Sequence, residues 1–164
     1  MATWICLLRA VNVGGRNKVP MAQLREALTA AGFGDVRTYV QSGTVRAVIA
    51  QAFDVDTPVV VRAPEELQAV VAWNPFPEVA DADPKRVHIV HLTAEPTTDA
   101  VASLLNIDWT PDHIKVEGSE VAICYSESMH TSKLQYPKVF KQLGVDGTAR
   151  NWRTVQTLVE LSSN

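Results

Sequence analysis

Apolar residues occur along this chain in short runs separated by turn formers, and the period within each run assigns an element. Residues 3–9 are almost continuously apolar, as in a strand with neighbours on both sides. A glycine loop follows, and Pro20 suits the first turn of a helix. Met21, Leu24, Leu28 and Ala31 then share one face, with Gly32 placed to end the helix. The β-branched and aromatic content of residues 36–40 predicts a second strand, and Ser42-Gly43 a turn. Residues 44–57 fit two patterns. Val45, Val48, Ile49, Ala52 and Phe53 match the helical template, whereas 44–49 also read as a strand returning from Ser42-Gly43. Pattern alone does not decide between them.

Residues 58–62 are a short buried strand. Pro64 with Glu65 and Glu66 opens a helix, because proline fits its first turn and acids oppose its positive end. Leu67, Val70 and Val71 form its apolar face, and Asn74-Pro75 stops it. The Pro- and Asp-rich stretch 75–84 is the best internal boundary, giving halves of residues 1–78 and 85–164 within one compact unit. The second half predicts a strand over 86–92, a helix over 98–105 and a hairpin of 113–117 with 121–126 across Gly118-Ser119. A short helix over 137–143, closed by Gly144, precedes a last helix with the stripe Trp152, Val155, Leu158 and Val159. Strand-helix-strand-strand thus recurs, which suggests a duplicated ferredoxin-like plan.

With 46% apolar and 20% charged residues the composition is that of a globular domain. No apolar run approaches the roughly 18 residues a membrane helix needs, and the N-terminus lacks a basic leader, so no membrane partner is expected. Cys6 and Cys124 lie in apolar strand patterns without a CxxC and are expected to act as small hydrophobes, Cys6 in the core, which fits a reducing, cytoplasmic compartment. The net charge of −3 argues against a dedicated nucleic-acid binder, but its distribution is uneven. Residues 1–53 carry six Lys/Arg against two Asp/Glu, 54–127 four against fourteen, and 128–164 five against two. An anionic ligand would therefore meet the two ends of the chain; chance segregation in solvated loops explains the same counts.

Several segments in order carry a resemblance: residues 7–15, Lys18, residues 21–25, 38–43, 59–62, 74–76 and 149–155. Together they resemble the uncharacterised bacterial family called "domain of unknown function 1697" over nearly the whole chain. The resemblance implies an α+β fold of two ferredoxin-like (βαββα-type) halves packed together, and no established activity, substrate or cofactor. Two departures stand out. Thr44 occupies a position where the family typically has Asn, and only residues 44–57 are available where the family usually has a strand and a full helix. The first half is thus expected to be trimmed between its second and last strands. The resemblance favours keeping 44–49 as strand, although the remaining connection of 50–57 is then too short for a regular crossover helix.

The leading candidate for chemistry is the stretch from Arg9 to Lys18. Gly14 and Gly15 permit φ > 0, which lets successive backbone N–H groups converge on an anion. The following helix N-terminus adds its dipole, and Arg9, Arg16 and Lys18 add formal charge. Asn12, Gln41, Ser42 and Arg62 are polar groups at turns or strand ends, as is Thr44, and Arg150 and Asn151 join the candidate set from the C-terminal segment. Neither GxxxxGK[ST] nor GxGxxG is present. Each candidate also has a structural reading: a Gly-Gly connector, helix capping by Asn151 or Thr148, salt bridging by Arg62. Catalytic constellations are absent from the sequence. His88 and His91 face opposite sides of a strand, and Ser128 with His130 lacks an orienting acid. The expectation is a cytoplasmic protein without cofactor or metal, binding a phosphate-bearing small molecule or a nucleic-acid backbone. A metal-independent enzyme on a small anion and a self-associating or partner-binding scaffold are the alternatives.

Overall fold

In a computed structural model of the chain, residues 3–33 and 42–163 are described. The first strand, β1 (Ile5–Leu8), pairs antiparallel with β2 (Val59–Arg62), Leu7 opposite Val60. This two-stranded ribbon is covered on both faces because its side chains alternate. Cys6, Leu8, Val59 and Val61 face α1 (Met21–Ala30) and α2 (Ser42–Phe53), where Val19, Leu24, Leu28, Val45 and Ile49 complete one cluster. Ile5, Leu7 and Val60 meet Leu67 of α3 (Pro64–Trp73) and Leu158 and Val159 of α7 (Trp152–Ser162) on the other side.

A larger sheet follows the short α4 (Pro77–Ala82). Its strands are β3 (Val87–Leu92), β4 (His113–Glu117), β5 (Glu120–Cys124) and β6 (Gly147–Asn151), in the order β4-β5-β3-β6 and antiparallel throughout. One face carries Val90, Leu92, Val121 and Ile123 against Leu104 of α5 (Thr98–Leu105) and Val139 and Leu143 of α6 (Tyr136–Leu143). The opposite face, with Val87, Ile89, Ala122 and Cys124, is covered by Val70 of α3, Ala80 of α4 and Trp152 and Val155 of α7. Residues from both ends of the chain meet beside the two-stranded ribbon, Ile5 and Leu7 against Leu158 and Val159, and helices cover both faces of β3 and β5, while His113, Lys115 and Glu117 of the edge strand β4 are exposed.

Three expectations need correction. Residues 44–49 are not a strand: α2 runs from Ser42 to Phe53, so Ser42-Gly43 begins a helix rather than a turn. Val45 and Ile49, one helical turn apart, are both buried against β1 and β2, so the i, i+4 period prevails over β-branching. Strand β6 was not anticipated, because Gly-Thr-Ala-Arg-Asn has no apolar alternation; its hydrogen-bonded register with β3 holds it. Cys6 is half-buried, not fully interior, although desolvation still raises its thiol to about 11. The strand expected over 36–40, and Gln41, lie outside the described residues.

Candidate functional site

The loop leaving β1 is a miniature hairpin. Val13 and Arg16 form an antiparallel bridge, with Arg16 N–H donating to the Val13 carbonyl at 3.1 Å. Gly14 (φ 60°) and Gly15 (φ 73°) both sit in the left-handed region, as a type I′ turn requires. Below the turn, Asn12 N–H donates to the Asn17 carbonyl at 3.1 Å. The Asn12 amide also clamps the main chain of Val19, donating to its carbonyl and accepting its N–H, both at 2.9 Å. Asn17 Nδ2 donates to the Ala10 carbonyl at 3.2 Å, drawing the two legs together. Val19, fully buried, pins the returning leg to the core.

Above that base the loop is open. A Cβ placed on Gly14 or Gly15 would meet nothing within 4 Å, and Arg16 and Lys18 are exposed. Neither cationic side chain has a hydrogen-bond or ion-pair partner among the described residues, and the Gly14 and Gly15 N–H groups have no acceptor there. The loop leads into α1, whose Pro20 N-cap supplies no side-chain acceptor and whose first turn holds no acid.

The other sequence candidates are engaged. Arg9 Nη1 donates to Asp146 Oδ1 at 2.7 Å, and its guanidinium lies 5.4 Å above the Phe140 ring. Arg150 reaches back across the fold: Nη2 donates to the Leu8 carbonyl at 2.7 Å, and Nη1 to Thr148 Oγ1 at 2.8 Å and the Ala149 carbonyl at 2.7 Å. Burial lowers its pKa from the usual arginine value. Arg150 therefore braces the residue that precedes Arg9. Arg62 is buried, donating to Glu120 Oε1 at 2.6 Å and to the Leu92 carbonyl at 2.8 Å. Glu120 Oε2 in turn lies 2.6 Å from Nδ1 of the fully buried His91, whose Nε2 has no hydrogen-bond partner among the described residues. Asn151 caps α7, its Oδ1 accepting from Thr154 N–H and Thr154 Oγ1, both at 3.0 Å. Ser42 is the first residue of α2.

Among the described residues the geometry thus leaves the Gly14 and Gly15 N–H groups and the Arg16 and Lys18 side chains without partners on one loop, puts Asn12 in its base, uses Arg9, Arg62 and Arg150 for tertiary bonds, and uses Asn151 to cap α7. Their partners Asp146, Phe140, Glu120 and His91 were invisible in the sequence, since each is set by long-range packing with no local motif. One more pair of this kind joins Arg46 to Asp56, at 2.5 and 2.9 Å.

Several other polar groups of the second half are bonded locally. Ser128 Oγ accepts the His130 main-chain N–H at 3.2 Å, and no hydroxyl–imidazole bond joins the two side chains among the described residues. Both residues border a cleft of about 340 Å³ or its loop, where buried Asp112 accepts Ser126 N–H at 2.8 Å and the Ser132 hydroxyl. His88 and His91 lie on opposite faces of β3, as the sequence implied. His88 Nε2 meets the Lys85 carbonyl at 2.9 Å; a carbonyl only accepts, so Nε2 carries the proton and Nδ1 receives the Tyr136 hydroxyl. Burial holds His88 below the ordinary imidazole range and pushes Tyr136 up to about 12. Among the described residues no group of three or more His, Cys, Asp or Glu is arranged to hold a metal, and no helix is long and apolar enough to cross a membrane.

Fold and loop together define a mixed α+β protein with two antiparallel sheets and one exposed cationic hairpin. The chain belongs to the family described as "Protein of unknown function (DUF1697)", whose model matches residues 1–48 and 44–121. Among solved structures it is similar to the conserved bacterial protein SP0830 from Streptococcus pneumoniae, at 20% identity and a TM-score of 0.66 over 98% of each chain. At that identity the likeness speaks for the fold alone. No curated protein matches the chain.

Proposed function

We propose that this protein binds a phosphate-bearing ligand at the hairpin loop of residues 12–18, without catalysing a reaction. The observation that carries the reading is the combination on one rigidly based loop of two glycine amides and two cations, Arg16 and Lys18, that have no partner among the described residues. Free N–H groups and fixed positive charge are what an oxyanion recognises, and the uncapped start of α1 adds to them. Arg9 precedes the loop along the chain, Arg150 braces the end of β1 through the Leu8 carbonyl, Asn12 holds the base of the loop, and Gln41 and Ser42 are proposed from the sequence alone. Arg62 and Asn151 act at a distance, through the packing of β2 and α7.

The ligand class is a nucleotide or a nucleic-acid backbone met through its phosphates. Stacked bases are disfavoured because helices cover both faces of β3 and β5, and the exposed side chains of the edge strand β4 offer a single ring, His113. The second half is proposed to be ferredoxin-like: its β3-α5-β4-β5-α6-β6 sequence with strand order β4-β5-β3-β6 supports this. The first half is a trimmed relative, the two halves form one unit, and the protein works in the cytoplasm. Titration with inorganic pyrophosphate, nucleotides and a single-stranded oligonucleotide tests the reading at ionic strength on the order of 10 mM, where the screening length is about 30 Å. The double variant Arg16→Ala/Lys18→Ala is expected to lose roughly 10-fold or more in affinity, as removing two charge-assisted contacts implies. Unchanged binding of all three probes would refute it.

A further inference from the structure

We infer that Asp146 is a built-in competitor for the anion site, holding Arg9 out of it until a ligand displaces the carboxylate. This rests on the binding reading above. Arg9 is the cation next to the loop along the chain: Ala10 follows it, and the Ala10 carbonyl is tied to Asn17, the neighbour of Lys18. Its backbone is fixed, since Arg9 N–H donates to the Pro58 carbonyl at 3.3 Å and its own carbonyl accepts the Thr57 hydroxyl at 2.6 Å. The side chain is less constrained. Only Nη1 is bonded, to Asp146 at 2.7 Å, and the two side chains remain 35% and 59% exposed. Nε and Nη2 have no acceptor among the described residues, so the fork that takes an oxyanion with two parallel bonds is half empty.

Asp146 is equally suited to release. Among the described residues its carboxylate bonds Arg9 alone, while its main chain is anchored by Thr93, whose N–H and hydroxyl both reach the Asp146 carbonyl, at 2.8 and 3.1 Å. The loop carrying the acid therefore keeps its place when the ion pair opens. Phe140 sits under the guanidinium and gives it a platform independent of the carboxylate. An exposed monodentate pair is weak, so a dianionic phosphate exchanges with it at little cost.

The experiment is a double-mutant cycle on pyrophosphate binding, read by calorimetry at the same low ionic strength. Asp146→Asn is expected to tighten binding about two- to five-fold, the range an exposed ion pair contributes. In an Arg9→Gln background the same substitution is expected to change nothing. A gain of equal size in both backgrounds would mean that Asp146 acts only as a distant negative charge, and overturns the inference. No gain in either background, with Arg16→Ala/Lys18→Ala still abolishing binding, overturns it while leaving the site intact. A parent protein that does not bind pyrophosphate or the nucleotides removes the site and the inference with it. Thermal melts of each variant check that the fold survives, as the exposure of both side chains implies.

Discussion

At the scale of single residues, hydrogen-bond bookkeeping separates the polar groups this chain has spent from those it has left over. Arg150, Arg62 and Asn151 belong to the first kind, Arg16 and Lys18 to the second. His88 is also spent, and its environment makes a measurable demand. Both ring nitrogens are bonded in the neutral form, one giving to Lys85 and one receiving from Tyr136, and the Tyr125 ring stands edge-on at 5.0 Å. Burial penalises the charged ring, and protonation at Nδ1 would also require the Tyr136 hydroxyl to turn from donor to acceptor. The folded-state pKa is therefore below the unfolded value near 6.5. Its contribution to stability is complete above that pH and declines as acid protonates the unfolded chain first. Urea denaturation between about pH 5 and 7 should show this slope in the parent and a flatter one in His88→Gln. Equal slopes would place the titration elsewhere.

At the scale of elements, strand β6 shows where local sequence stops being informative. The helices were legible because capping and period agree: Pro64 with two acids, Thr97 accepting Ala100 N–H, Gly144 at φ 65° closing α6. The hairpin around Gly118 was legible through its turn. The segment 44–53 was not, because β-branched Val45, Val48 and Ile49 satisfy both periods until the partner surface is known. Strand β6 has no period at all, and its place is set by close contact. A Cβ on Gly147 would lie 2.5 Å from the His91 carbonyl oxygen and 3.0 Å from Phe140 Cε1. The first contact is main chain, and Gly147 pairs with Leu92 in the ladder, so neither side has room to move. Gly147→Ala should cost about 1–3 kcal/mol, the usual penalty for overpacking, read as a lower denaturation midpoint with an unchanged slope. A neutral substitution would mean that β6 can slide outward. Of the candidate site, the glycine turn and its cations were readable in the same local way; Asp146 was not, lying more than a hundred residues on.

At the scale of the whole molecule, the two sheets are joined by shared helices and by arginines that cross between them. Helices α3 and α7 each contribute to the clusters on both sheets, through Leu67 and Val70 in one case and Leu158 and Val155 in the other. Arg62 reaches from β2 to the Leu92 carbonyl and Glu120, and Arg150 from β6 to the Leu8 carbonyl. The Arg62–Glu120–His91 cluster is the deepest of these links, and it permits a test of whether the sheets unfold together. Arg62→Met keeps the stem but leaves the Glu120 carboxylate buried without its guanidinium. Such a break costs about 3–5 kcal/mol. Adding Glu120→Gln removes the stranded charge, so the double variant should recover part of that loss, whereas independent contributions would make it worse than either single change. Because helices α3 and α7 belong to both sheets, the loss should move one transition as a whole. Near-ultraviolet circular dichroism and amide exchange of β3 would then report the same midpoint. Two midpoints, with β1–β2 lost before β3–β6, would show instead that the shared helices do not couple the sheets, and that the cationic hairpin sits on a separately unfolding unit.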